Sequence, residues 1–234
     1  MKLSVKITLI FSAMMLTALF ILSFSAGQIS INGANAFTKA RFLNMSTSIQ
    51  RDLEQDVSMM QMTLRGLSEN TTFMAALNQM VRDDSADQKM ALAAGRAAIQ
   101  QLLQSPLVDM FYRVTFYTRD GVFITTHVER EQRLISGSEE AKREISTLSW
   151  LDRADDTYEP ILLAPHQDIF SPNFQTRVYG LVQQIRYRGN AIGYIEVSNQ
   201  YEDLERIMEF VDNPMVSVEA IFGDGQRLFE SQAA

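Results

Sequence analysis

The segment that most constrains this chain is ITLIFSAMMLTALFILSFSA, from Ile7 to Ala26. No charged residue occurs between Lys6 and Lys39, and the segment is almost unbroken in its apolar character. At the helical rise, a stretch of this length covers the roughly 30 Å of a bilayer's hydrocarbon core. Two readings compete. One is an uncleaved transmembrane anchor. The other is a signal peptide, with small-residue sites at Ser23–Ser25 or Ala34–Ala36. The apolar run is long for a signal peptide, which favours the anchor. Lys2 and Lys6 are the only charges before the span, so residues 1–6 are expected to stay cytoplasmic and everything after Ala26 to lie outside the membrane.

The whole chain has 234 residues and a formal net charge of −7, and setting aside Lys2 and Lys6 makes the remainder more acidic still. That argues against a nucleic-acid partner, which requires basic clusters. There is no cysteine, which excludes disulfides and thiolate chemistry.

Beyond the span, residues 35–70 contain no proline and one glycine, Gly66. Ile49, Leu53, Val57, Met60, Leu64 and Leu67 recur every three or four residues, which predicts a helix with one apolar stripe. The helix would rise about 50 Å, and its stripe can pack against its own domain or against a second copy of the chain. Met45, Met59, Met60 and Met62 read as core filler rather than as a metal site. A helical turn follows, then a polar break at Arg82–Asp87 and a second helix to about Gln104, before Ser105-Pro106 ends it.

The periodicity then changes. YRVTFYTRDGVFITTHV, from Tyr112 to Val128, predicts a hairpin around Asp120-Gly121. SGSEEAKREISTLSW predicts a short helix capped by Ser138. YEPILLAPHQDIFSPN reads as a strand entering a loop, and TRVYGLVQQIRYRGNAIGYIEVS as two strands about Arg188-Gly189-Asn190. NQYEDLERIMEFV closes with a helix. The expected class is α+β, an antiparallel sheet flanked by helices. VEAIFGDGQRLFES, from Val218, repeats the hairpin pattern of VTFYTRDGVFITTH, from Val114, at about one small domain's distance. It suggests that a second copy of the module starts near Val216.

The membrane span, the ascending helix, the Asp-Gly hairpin, Trp150 before an irregular segment, APHQD, and VYGLVQQIRYRGNAIGYIEVSNQYEDLERI together resemble a double Cache domain, the PAS-like extracytoplasmic sensor of bacterial receptors. The resemblance is closest to sensor histidine kinases. It implies cytoplasmic residues 1–6, a transmembrane helix over 7–26, an ascending helix over 35–70, a membrane-distal module over 71–213, and the incomplete start of a membrane-proximal module over 214–234. It also implies a small-molecule ligand, a homodimer through the long helix, and signalling to an output domain that is not in this sequence. A chemoreceptor or diguanylate cyclase with the same sensor, and an anchored structural or adhesion domain, are the alternatives.

Candidate binding residues follow. Trp150 is the only tryptophan, and is either a core plug or a pocket wall. In amino-acid-binding relatives this segment resembles R-x-W-Y-x-x-A. Here Leu148 and Leu151 replace the two polar positions, which puts that ligand clamp in doubt, and Arg153 is a conceivable substitute. The resemblance lets Asp168 meet a ligand amine; the alternative is a loop-capping role. Tyr117 and Arg119 share one strand face with Thr115, and Tyr179 and Gln183 share another with Leu181. His127 and His166, with Asp168 or Glu129, lack metal-site spacing, so neither metal nor cofactor is expected. There is no nucleophile elbow and no phosphate loop, so no enzyme is expected in these residues.

Overall fold

The computed structural model describes residues 3–82, 110–126, 134–171, 176–209, 219–221, 225 and 227–230. It divides into two units, Met1–Asp52 and Leu53–Ala234. The rest of the expected polar break after Arg82, and the expected helix from there to about Gln104, lie outside the described residues.

Helix α1 runs unbroken from Leu3 to Glu69. It includes residues 27–34, which join the apolar span to the ascending helix without a break. No proline interrupts this stretch, and Gly27 and Gly33 each have open space around them, so they weaken the helix without breaking it. The helix is long and apolar enough to cross a membrane. Asn70 then starts α2 (Thr71–Arg82): its side-chain oxygen accepts from the Phe73 amide at 3.0 Å. That is the role of an N-cap.

The sheet has five antiparallel strands in the order β2-β1-β5-β4-β3. They are β1 (Arg113–Tyr117), β2 (Phe123–Thr125), β3 (Ile161–Gln167), β4 (Arg177–Tyr187) and β5 (Asn190–Gln200). The predicted β1–β2 hairpin forms, with Gly121 at φ +86°. Helix α3 (Glu139–Ser146) begins at Ser138, whose side chain accepts from the Ala141 amide as the sequence suggested. Short helix α4 (Leu151–Asp155) follows, and α5 (Tyr201–Glu209) continues directly from β5.

Each face of the sheet has its own cover. On one side, α3 and α4 contribute Ala141, Ile145, Leu151 and Ala154 to a cluster with Tyr117, Val182 and Tyr194. On the other, α2 and α5 lie against β4 and β5, burying Phe73, Leu77 and Leu204. A fully buried Leu or Phe side chain contributes roughly 1.5–3 kcal/mol. Covering both faces buries β5, the middle strand, continuously from Ile192 to Ser198.

A separate two-stranded sheet holds β6 (Glu219–Ile221) and β7 (Arg227–Glu230). Its turn residue Asp224 lies outside the described residues.

Candidate functional site

Strand register decides which side chains meet. Arg113 pairs with Ser198, Thr115 with Glu196, and Tyr117 with Tyr194. All six residues therefore point to the face covered by α3 and α4. Strand β4 adds Val182, opposite Glu196, and Gln184, opposite Tyr194.

Strand β3 reaches the same face by an irregularity. Its register with β4 shifts between Leu163 and His166, across Ala164-Pro165. Proline has no N–H to give the ladder, and an edge strand with a bulge is where it is tolerated. The extra residue cancels one alternation, so Leu163 and His166 share a face when simple alternation would oppose them.

Glu196, buried at the centre of this face, is the hub. The Tyr117 hydroxyl donates to its Oε2 at 3.3 Å. The Trp150 indole N–H donates to the same hydroxyl at 3.0 Å. His166 Nε2 stands 3.8 Å from Glu196 Oε1, and the Trp150 ring lies 4.5 Å from the His166 ring, centroid to centroid. Tyr117 also stacks on Tyr194 at 5.6 Å. Burial pulls the His166 pKa down, but Glu196 outweighs it and leaves the imidazole above its ordinary 6.5. Burial pushes Glu196 up, and His166, then Arg113 and Tyr117, bring it below its ordinary value. Burial, with Glu196 nearby, raises the Tyr117 phenol well above its ordinary range.

A second ion pair lies beside the hub. Both oxygens of Asp168 accept from Arg113, and both side chains are buried. Asp168 Oδ1 also accepts from the Phe170 amide at 2.9 Å, so the carboxylate shapes its own loop. Arg113 Nε is buried with no hydrogen-bond partner.

At the rim, Arg119 donates to Tyr194 Oη at 3.0 Å, Asp152 at 2.9 Å and Asp155 at 2.6 Å. It ties the β1–β2 turn to α4. Asp155 also accepts from Tyr194 Oη at 2.6 Å. Burial alone would raise the Asp155 pKa, but the bonds from Tyr194 and Arg119 hold it below the ordinary value.

Four of the six residues singled out in the sequence, Tyr117, Trp150, Asp168 and Arg119, are thus gathered on or around one face. Tyr179 and Gln183 are not. Both point to the opposite face, where Tyr179 donates to Asp56 at 3.1 Å. Gln183 donates to the Tyr158 carbonyl at 2.7 Å and lines an open cavity of about 390 Å³ with Met74 and Arg186. Leu148 and Leu151, at the departures from the ligand-clamp pattern, are in the core. Glu196, Arg113 and Tyr194 were missed by the sequence reading. Among the described residues no group of three or more His, Asp or Glu side chains is arranged for a metal ion. His127 and Glu129 lie outside the described residues.

No family model matches the chain. No curated protein matches it either. Among solved structures, the chain is similar to the ligand-binding domain of the Pseudomonas aeruginosa PAO1 amino acid chemoreceptor PctC in complex with GABA, at 15% identity over 75% of this chain and 71% of that one, with a TM-score of 0.42. It is similar to the ligand-binding domain of the Campylobacter jejuni chemoreceptor Tlp3 in complex with 4-methylisoleucine, at 14% identity over 80% and 71%, TM-score 0.41. The ligand-binding domain of the Pseudomonas fluorescens chemoreceptor CtaA in complex with L-isoleucine gives 13% identity over 79% and 69%, TM-score 0.44.

Proposed function

We propose that this chain is the extracytoplasmic sensing part of a membrane receptor and that it takes up a small polar molecule against the sheet face beneath α3 and α4. The observation that carries this reading is the concentration of polar groups on that face. Arg113, Glu196 and Asp168 are buried in a domain core, beside Tyr117 and Trp150. Buried charge is costly to a fold. Aromatic walls with a few convergent polar groups are the usual make-up of a small-molecule site.

Tyr117 and Trp150 would supply the apolar walls, Asp168 and Arg119 the charged contacts. The anchor reading of residues 7–26 supports a membrane location with the N-terminus inside. Pairing of two copies through the long helix would give signalling a two-state element. A ligand shifts such an equilibrium only by its difference in affinity for the two states. The output reading closest to the sequence resemblance is a histidine kinase; a chemoreceptor uses the same sensing logic.

The test is a thermal-shift screen of the full chain in lipid nanodiscs against amino acids, carboxylates, amines and sugars. At least one class should raise the melting temperature, and Trp150→Ala should abolish that shift. A folded protein that responds to no class overturns the reading and favours an anchored structural role.

A further inference from the structure

We propose that His166 and Glu196 form a proton-binding site, which takes up a proton from solvent on one side of the sheet and releases it as the pH rises.

The argument begins with hydrogen-bond roles. His166 Nδ1 lies 2.9 Å from the Ala164 carbonyl oxygen. A carbonyl only accepts, so Nδ1 carries the hydrogen. A neutral imidazole has one N–H, which leaves Nε2 bare. Nε2 faces Glu196 Oε1 at 3.8 Å. With both groups deprotonated, two acceptors oppose each other in a buried site. One added proton turns Nε2 into a donor and makes the pair an imidazolium–carboxylate bridge. The arrangement therefore suits the protonated pair, and the proton has a defined place between two named atoms.

Among the described residues the other cation that acts on Glu196 is Arg113, which helps lower its pKa without taking the place of His166 beside Oε1. Arg113, on β1, already commits both terminal nitrogens to Asp168. Tyr117, also on β1, gives a neutral hydroxyl, oriented by the Trp150 indole, which can only donate. Asp168, just past β3, adds negative charge that favours the imidazolium. These are the charged and titratable groups that face the pair among the described residues. The His166 side chain is 18% exposed, against 3% for Glu196, which gives the proton a path to solvent through the imidazole. The upward displacement of the His166 pKa, caused by Glu196 against the opposing effect of burial, agrees with this geometry.

The site also has a mechanical reach. His166 sits on the edge strand at its bulge, while Glu196 is on the central strand that runs directly into α5. The proton thus decides whether edge and centre are tied across β4. This goes beyond the ligand reading and does not depend on it.

Trp150 is the only tryptophan and its ring packs on His166, so indole emission is a built-in probe. Protonated imidazole quenches indole fluorescence more than the neutral form does. In the full chain in nanodiscs, titrated from roughly pH 5 to 9, emission should rise through a single step with a midpoint above the ordinary His value of 6.5. His127→Gln should leave that step in place and His166→Gln should remove it. Glu196→Gln should move it to lower pH. A flat wild-type titration overturns the proposal, as does a step that survives in His166→Gln. Should His166→Gln not fold, imidazole nitrogen NMR of His127→Gln replaces it. A midpoint at or below 6.5, or hydrogen on Nε2 rather than Nδ1 in the neutral form, overturns the proposal. A ligand screen without hits alongside an intact titration sinks the sensor reading and leaves this site standing.

Discussion

Arg113 and Asp168 form a two-pronged ion pair inside the domain, with side chains 2% and 0% exposed, joining the first strand of the sheet to the loop after β3. Removing one member of such a pair strands the other charge in the core, which typically costs about 3–5 kcal/mol. Asp168→Ala should therefore lower stability by that order in urea denaturation followed by circular dichroism. Replacing both, as Arg113→Met with Asp168→Leu, should recover most of the loss, because two apolar groups leave no charge unmatched. A double variant as unstable as the single one would show that the loop depends on the Phe170 amide bond to Asp168 instead.

Tyr117 occupies the middle of a directional chain from the Trp150 indole to the Glu196 carboxylate. Tyr117→Phe keeps the ring stack on Tyr194 but leaves one buried donor and one buried acceptor without this partner. Each such group costs roughly 1–3 kcal/mol. The variant should be destabilised by about that much, and its Trp150 emission should shift as the indole N–H loses its acceptor. An unchanged spectrum would contradict the bond.

Gly121 turns the β1–β2 hairpin at φ +86°, and a Cβ built there would lie 2.6 Å from the Lys142 backbone nitrogen. Gly121→Ala combines left-handed strain, about 1–2 kcal/mol, with a clash against backbone that cannot swing aside. The hairpin and the start of α3 would have to separate. A clear fall in melting temperature is expected, larger than that of Gly189→Ala, where φ is also positive but nothing lies within reach of the added methyl. Equal effects at the two sites would mean that strain alone matters.

These positions separate what was readable in the sequence from what was not. The Asp120-Gly121 turn, the Ser138 cap and the β4–β5 pair are local, and local chemistry announced each of them. The apolar stripe of α1 was equally legible, and Met60, Leu64 and Leu67 are indeed buried. Glu196 escaped because a carboxylate in GYIEVS reads as the solvent side of an alternating strand. Only the central place of β5, covered on both faces, turns that side inward. His166 was legible only as a weak metal candidate; its place beside Glu196 was not, because the bulge at Ala164-Pro165 changes its face and alternation cannot be counted across a bulge. The Pro165 next to it was the available signal. The Arg113–Asp168 pair joins residues far apart in the chain, and no local pattern encodes it. Tyr179 and Gln183 were correctly placed on one shared face, but the strand's pairing partners set that face opposite to Tyr117.

The pH dependence of stability follows from the signs of the two pKa shifts at the hub. Burial alone would lower His166 and raise Glu196; their mutual attraction, with Ala164 and Asp168 acting on His166 and Arg113 and Tyr117 on Glu196, outweighs burial in both. For His166, whose folded pKa lies above 6.5, the contribution to stability is fully present below 6.5 and is lost as pH rises through the folded value. For Glu196, whose folded pKa lies below 4.5, the contribution is present above 4.5 and is lost as pH falls through the folded value. The pair therefore stabilises the domain most between 4.5 and 6.5. Urea midpoints measured across this range and beyond it should fall on both sides of that window. In His166→Gln the alkaline fall should shrink, because no imidazolium remains to be lost. An alkaline limb identical in wild type and His166→Gln would assign the pH dependence to other groups.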